Sequence, residues 1–447
     1  MVGYRVGADQ NVLTDERTAK KSKVRLDGQG KTKIQEVSMS NPASAVIVGG
    51  SHAAVQLMIS LRQSGWDGDI TVISEEPYMP YQRPPLSKAY LAGDSSDDKL
   101  ALRAPAVYEK LNVSFKLGLV VTAIDTVDKT VELNNGETIG FTKLALCTGA
   151  RARPLPIPGA DLQGVHYLRT MDDVKAIQQS ATTAKTAVII GGGYIGLETA
   201  ASLTKLGVAV TVLETESRLL QRVASETTSD FYLRLHQEQG VTIKLNTLAS
   251  ALTGEGSVSG VVCADGQMVS GDMVIIGIGV IANTELASAA GLEVDNGILV
   301  NEFAQTSHQD IVAAGDCTNH PNSILKTNLR LESVPNATEQ AKAAAASICG
   351  IEKPYAELPW FWSDQYDVKL QIAGINQGYT DVVIRGNNRS RSFSLFYLQD
   401  NRVLAADCIN RPKDFMLTKK LILQGKAVDR QALADETIEL RTLTQGS

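Results

Sequence analysis

The sequence predicts an α/β protein with two parallel-sheet domains of the doubly wound kind and a smaller α+β domain at the C-terminus. Three observations carry the prediction. The 447 residues suffice for about three domains of roughly 150 residues each. Glycine is abundant, at 37 residues, while aromatic residues make up only 5%, a balance that suits α/β chains better than all-β sandwiches. Above all, one pattern occurs twice, about a domain length apart. It is an apolar β-branched run, a glycine-rich turn, an alanine-rich helical stretch ending at a glycine, and a second apolar run closing on an acid.

In chain order, residues 1–41 read as a disordered leader. Positions 1–40 hold eight Lys or Arg and five Asp or Glu with little apolar periodicity. The apolar stretch of a secretory signal is missing, and Asp9, Asp15, Glu16, Asp27 and Glu36 do not suit a transit peptide. Met39 stands where an alternative start would serve. From Ala45 the first unit runs AVIVGGSHAAVQLMISLRQSG and then DITVISEE. From Ala187 the second runs AVIIGGGYIGLETAASLTKLG and then VAVTVLETE. LALCTGARARPLPIPG, 144–159, reads as a buried strand, a glycine turn and a proline-rich linker, and TSHQDIVAAGDCTNH, 306–320, as a strand that delivers Gly315-Asp316 at its end. Near the C-terminus, SFSLFYLQ and RVLAADCI read as hairpin strands with Gln-Asp-Asn at the turn.

The repeated unit has a physical use. Glycine at a strand end lets the backbone turn tightly and approach a pyrophosphate, and the helix that follows offers it unpaired N–H groups and a partial positive charge. The acid ending the next strand accepts hydrogen bonds from an adenosine ribose. Gly191-x-Gly193-x-x-Gly196 with Glu214 is the full Rossmann-like fingerprint. The first copy is degenerate: Gly49 is followed by Ser51 and Ala54 in the second and third glycine positions, with Glu75 or Glu76 as the acid. Two such units in register point to two bound dinucleotides. Asp316 can reach a polyol chain while the following N–H groups approach phosphate; a simple turn or N-cap role is the alternative. Glu214 favours NADH over NADPH, because a carboxylate repels a 2′-phosphate, and Arg218 and Arg222 nearby weaken that discrimination slightly.

Other functions are excluded. Forty-three Lys and Arg against 49 Asp and Glu give a net charge of −6, without the basic footprint of a nucleic-acid binder. No run of 18 apolar residues exists to span a membrane. Cys147, Cys263, Cys317, Cys349 and Cys408 are odd in number and scattered, which fits neither a disulfide framework nor a metal cage and points to a reduced, cytoplasmic compartment.

Further blocks carry a resemblance: YQRPPLSKAYLAG (81–93), GGGYIGLE (191–198), GIGVIANTELASAAGLEVDNGI (277–298), AAGDC (313–317), ESVPNATEQA (332–341), PWFWSDQY (359–366) and FYLQDNRVLAADCINRP (396–412). From about Ala45 to near residue 440 the chain resembles the two-dinucleotide-fold flavoproteins of glutathione-reductase type. Within them it is similar to the NADH-dependent ferredoxin reductases that serve bacterial cytochromes P450 and Rieske oxygenases. The resemblance implies FAD in the first unit, held at Gly49, Ser51, Ala53, Ala54, Glu75, Arg83, Lys88, Val121, Arg169, Asp316, Val334 and Trp362. It implies NADH in the second, along Gly191, Gly193, Ile195, Gly196, Glu214 and Gly279. Lys88 and Glu198 are expected to meet at the flavin–nicotinamide junction, with Trp362 near the flavin ring, and these three are the candidate catalytic residues. A [2Fe–2S] ferredoxin is the implied partner, with the chain a monomer or a weak dimer.

Missing groups narrow the chemistry. Disulfide reductases of this type place a Cys pair shortly after the first unit, and 75–93 contains no cysteine. Electrons on the flavin must therefore leave directly to a partner. A basic face made by Lys342, Arg411, Lys413, Lys419 and Lys420 would steer an acidic ferredoxin, with a solvated helix face as the plainer alternative. His52, in the first glycine turn, would face the ferredoxin side of the flavin or be a satisfied loop histidine. Trp360 is as well placed for a core as for a site. The expected domains are an FAD-binding one at 42–154 and 284–355, an NADH-binding one at 155–283, and a C-terminal α+β one at 356–447. A rubredoxin, a quinone or monodehydroascorbate as acceptor, and a redox signalling role resembling apoptosis-inducing factor, are the competing functions.

Overall fold

The computed structural model describes residues 21–26, 32–37 and 43–444. The leader expected to be disordered, with Met39 in it, lies outside the described residues except for two strands. Lys21–Leu26 and Thr32–Val37 pair antiparallel.

The first sheet begins with β1 (Ser44–Val48), α1 (His52–Gln63), β2 (Asp69–Ser74), β3 (Val113–Leu117) and β4 (Lys143–Leu146). A second sheet follows, from β5 (Val165–Tyr167), β6 (Thr186–Ile190), α2 (Tyr194–Lys205), β7 (Ala209–Leu213), α3 (Glu226–Glu238), β8 (Thr242–Lys244) and β9 (Met273–Ile276). The chain then returns to the first sheet with β10 (Ile311–Ala313) and α4 (Val334–Ile348). Both sheets are parallel throughout, in the orders β10-β4-β1-β2-β3 and β5-β9-β6-β7-β8. The central strand of each, β1 or β6, runs into a glycine turn and then a helix. A parallel sheet is covered on both faces, which is why AVIV and AVII are unbroken apolar runs.

The second sheet is thus laid between β4 and β10 of the first. Its entry and exit run side by side, since Ala150–Ala152 pairs antiparallel with Val280–Ala282. Small residues bring α1 and α4 together: Ala53, Ala54, Ala337, Ala341 and Ala344 are buried in one core with Leu57, Met58 and Leu61.

The C-terminal part is an antiparallel sheet of β11 (Trp360–Gln365), β12 (Val368–Gly374), β13 (Asp381–Asn387), β14 (Ser392–Gln399) and β15 (Arg402–Ile409), followed by α5 (Pro412–Gln424). Its order is β11-β12-β15-β14-β13. The expected β14–β15 hairpin is present, and Asp400 and Asn401 both take the positive φ that a tight two-residue turn demands. One face buries Ala373, Val403 and Ala406 with Phe415, Leu421 and Ile422 of α5. The other packs Leu370, Phe393 and Ile409 on Phe231, Tyr232 and Leu235 of α3. This second contact fixes β11 where both dinucleotide units meet.

Candidate active site between the two dinucleotide units

The glycines of the two turns answer to different constraints. Gly49 (φ +113°) and Gly191 (φ +115°) lie in the left-handed half of backbone space, and a Cβ on either would run into a carbonyl oxygen, of Cys147 and Gly277 respectively. A Cβ on Gly196 would meet the Gly191 carbonyl, whereas Gly193 faces open space. Gly193 therefore leaves room for a ligand rather than for protein. Ser51 occupies the same place in the first turn, its hydroxyl 3.3 Å from His52 Nδ1, and Ala54 is fully buried. Neither α1 nor α2 has a side-chain cap, unlike α3 and α4, whose N-termini are capped by Ser225 and Ser333. Uncapped N–H groups beside open backbone are what a pyrophosphate requires, so the residues present fit two dinucleotides.

Glu214 follows β7, and its Oε2 accepts the Gly192 N–H at 2.6 Å. Arg218 does not oppose it: the guanidinium is spent on the carbonyls of Ala224 and Gln221 and on the Ser229 hydroxyl. In the first sheet the ladder position matching Glu214 is Ser74, because Val48 pairs with Ile73 as Ile190 pairs with Leu213. Glu75 stands one residue further, exposed, while Glu76 is claimed by Arg83 and the Tyr81 hydroxyl. Of the two acids, Glu75 is the one left available.

Between the units lies a cleft of about 1070 Å³ counted out to its open mouth. Ser51, Ala53, Arg83, Lys88, Arg169, Ile195, Glu198, Asp316, Val334 and Trp362 all line it, brought together from seven separate stretches of chain. Asp316 Oδ2 pairs with Arg169 Nη2 at 3.1 Å, and the Gly315 N–H is held by Gln340 Oε1 at 2.9 Å. Arg83 donates to the Arg169 carbonyl at 2.9 Å, tying the two arginines into one wall. Trp362 leans on Trp360, centroids 5.6 Å apart, and Trp360 rests on Phe415, so Trp360 belongs to the C-terminal core and Trp362 to the cleft. Val121 does not reach the cleft: it is buried in the core beneath β1 and β2. Gly279 (φ +102°) faces open space beside Val280, which lines the cleft.

Lys88 and Glu198 meet at the centre. Lys88 follows a single 3₁₀ turn, Pro84–Ser87, and its Nζ lies 2.6 Å from Glu198 Oε2. Glu198, on α2, is only 1% exposed, and the Lys88 side chain 16%. The Ser87 hydroxyl donates to the same carboxylate oxygen at 2.5 Å, and Ser363 donates to Oε1 at 2.6 Å. Ser87 and Ser363 were not among the residues the sequence singles out, although both sit inside quoted blocks. A serine beside a proline turn or on a strand carries no signal of its own until the carboxylate it serves is placed.

Three imidazoles are buried and neutral: His52, His236 and His320 are each pushed down to about 4, chiefly by burial. At His52, which lines the cleft, Arg83, Arg169 and Arg103 add to the effect. Asp407, wholly buried, is pushed up to about 6 by burial, against hydrogen bonds from Tyr397 and Thr228. Unfolding frees the imidazoles to protonate at their ordinary 6.5, so their contribution to stability is whole above that pH and is lost as pH falls to about 4. Asp407 has the opposite sign, since its contribution is whole below 3.8 and lost as pH rises through about 6. The three histidines outweigh it, and unfolding near pH 5 is expected to take up about two protons. The slope of unfolding free energy against pH measures this, and a flat or falling profile between pH 4 and 6 contradicts it.

Comparison with known proteins agrees with this geometry. Residues 43–341 match the pyridine nucleotide-disulphide oxidoreductase family, and residues 360–444 match the reductase C-terminal family. Putidaredoxin reductase of Pseudomonas putida is 42% identical over 90% of this chain and 96% of its own length. The reductase in the solved covalent putidaredoxin reductase–putidaredoxin complex superposes with a TM-score of 0.87 at 42% identity, over 91% of this chain and 99% of that one. A ferredoxin reductase for the CYP199A2 system, from Rhodopseudomonas palustris, gives 0.86 at 38% identity, over 89% and 99%. The chain belongs to the pyridine nucleotide-disulphide oxidoreductases, among the ferredoxin reductases that resemble putidaredoxin reductase, flavoprotein oxidoreductases that work with FAD and NAD(H).

Proposed function

We propose that this protein draws electrons from NADH and delivers them singly to a [2Fe–2S] ferredoxin that serves a cytochrome P450 or Rieske oxygenase, acting in the cytoplasm as a monomer or weak dimer. The observation that carries the reading is the absence of a thiol pair from a cleft shared by both dinucleotide units. Among the described residues Cys147 is the one cysteine lining it, and burial drives that thiol well above its usual range. A dithiol relay therefore has no place here.

When bound, FAD supplies hydride acceptance and one-electron release. The chain supplies the rest. The α1 N-terminus with Ser51 offers N–H and hydroxyl donors to the FAD pyrophosphate, and Asp316 with Arg169 takes the polyol and neighbouring phosphate. The α2 N-terminus with Gly193 and Glu214 receives NADH, and Glu214 opposes a 2′-phosphate. Lys88, clamped by Glu198, holds a positive charge at the junction, and Trp362 shields one wall from water. Hydride transfer needs alignment more than proton transfer, so these residues act by position and charge.

Among the basic residues expected to steer a ferredoxin, Lys342 is paired with Glu339, and Arg411 with Asp414 and Glu436. Ferredoxin docking falls on the remaining basic residues, of which Lys419 lies 5.3 Å above the Trp360 ring, and among the described residues Lys413 and Lys420 make no ion pair. Steering by this reduced set predicts a ferredoxin-reduction rate that falls several-fold, by about tenfold or less, between low and moderate salt. Anaerobic mixing with NADH, then with a [2Fe–2S] ferredoxin, tests the whole reading. Rapid flavin bleaching followed by fast, salt-sensitive ferredoxin reduction is expected. Slow bleaching with a persistent long-wavelength band and no ferredoxin reduction would favour the signalling role instead.

A further inference from the structure

Behind Glu198 a hydrogen-bonded chain runs away from the cleft through the C-terminal sheet and back into the NADH unit. Ser363 Oγ lies 2.6 Å from Glu198 Oε1, and Gln365 Nε2 lies 3.1 Å from Ser363 Oγ. Gln365 Oε1 is 2.8 Å from His236 Nε2, and His236 Nδ1 is 3.1 Å from the Tyr366 hydroxyl. Ser363, Gln365 and His236 are all buried, at 1% exposure or less. Period-two alternation on β11 makes this possible: residues 363 and 365 share one face of the strand.

The direction of every bond follows from one charge. An ionised carboxylate only accepts, so Ser363 donates to Glu198 and must itself accept from Gln365. The Gln365 amide therefore turns its NH₂ to Ser363 and its oxygen to His236. That oxygen requires His236 to carry its proton on Nε2, which leaves Nδ1 to accept from Tyr366. No link has a second choice while Glu198 is charged. On its other oxygen Glu198 is gripped by Lys88 and Ser87.

We propose that Ser363, Gln365 and His236 are positioning residues for hydride transfer, anchoring the Glu198 carboxylate so that Lys88 is held at the flavin–nicotinamide junction. The C-terminal domain thereby takes part in the NADH half of the reaction, and the tautomer of His236 reports the charge of Glu198 three side chains away. The inference rests on the reading of Lys88 and Glu198 as that junction.

Two readouts test it on the FAD-loaded full chain. In ¹⁵N-histidine NMR the His236 ring is expected as the neutral Nε2–H tautomer, and Ser363→Ala is expected to convert it to a mixture. In anaerobic stopped flow, Ser363→Ala and Gln365→Met are expected to slow flavin reduction by NADH about tenfold, the scale of one hydrogen bond to a charged group. Ser363→Thr, which keeps the hydroxyl, recovers most of that loss, and FAD content and thermal midpoint control for misfolding. Wild-type rates and an unchanged tautomer in Ser363→Ala, alongside a slow Glu198→Gln, overturn the inference and leave the junction intact. Should Glu198→Gln itself reduce at the wild-type rate, the junction reading fails and the inference falls with it.

Discussion

Replacing Glu198 with alanine is expected to slow NADH-driven flavin reduction by about two orders of magnitude, about 2.7 kcal/mol on the barrier, because the Lys88 charge loses the carboxylate that fixes it at the junction. The loss is concentrated at the junction. Lys88 keeps only the Pro84 carbonyl, at 3.2 Å, and its side chain is free to swing toward the cleft mouth. Ser87 and Ser363 lose the acceptor that orders them. FAD retention is expected to survive, since Asp316, Arg169 and the α1 N-terminus are untouched. Single-turnover reduction of the FAD-loaded variant is the measurement. Unchanged hydride transfer with unchanged NADH affinity would remove the pair from the reaction.

The second large effect belongs to Gly191. An alanine there combines a φ of +115° with a Cβ driven into the Gly277 carbonyl, and the turn can relieve neither without moving β6 away from β9. NADH affinity is expected to fall by at least about 100-fold, from strain of a few kcal/mol and displacement of the α2 N-terminus. FAD binding stays, because Gly191 lies in the other sheet, and dithionite still bleaches the flavin. The matching change at Gly49 acts on the opposite cofactor: Gly49→Ala is expected to yield protein that has lost FAD. A fluorescence titration with NADH and the flavin-to-protein absorbance ratio separate the two outcomes. Normal NADH affinity in Gly191→Ala would show that this turn does not cradle the dinucleotide.

Much of this site was legible in the chain. The two glycine turns announce themselves because a strand end, a tight turn and a helix start each demand specific residues at short range. Ser51 came from the first glycine turn, Ala53, Arg83, Lys88, Arg169, Asp316, Val334 and Trp362 from the resemblance, and all eight line one cleft. Val121 came from the resemblance too and lies in a core instead. The choice between Glu75 and Glu76 required the ladder register and the bonds that occupy Glu76. Of the five basic residues expected to steer a ferredoxin, Lys342 and Arg411 proved to be paired.

The sequence by itself determined the two parallel-sheet units, their order, the tight β14–β15 turn and the absence of a dithiol in 75–93. These are local properties, written in periodicity and in residues that a particular backbone conformation requires. Tertiary structure alone decided that β10 pairs with β4 at the edge of the first sheet, that Arg218 is spent on carbonyls, and that Ser363, Gln365 and His236 stand behind Glu198. His236 and Ser363 lie on different elements, 127 positions apart in the chain. Their meeting depends on the packing of Phe393 and Ile409 of the C-terminal sheet against Phe231 and Tyr232. Hydrophobic burial of that kind is non-directional, so no residue in the pattern states which partner it will find.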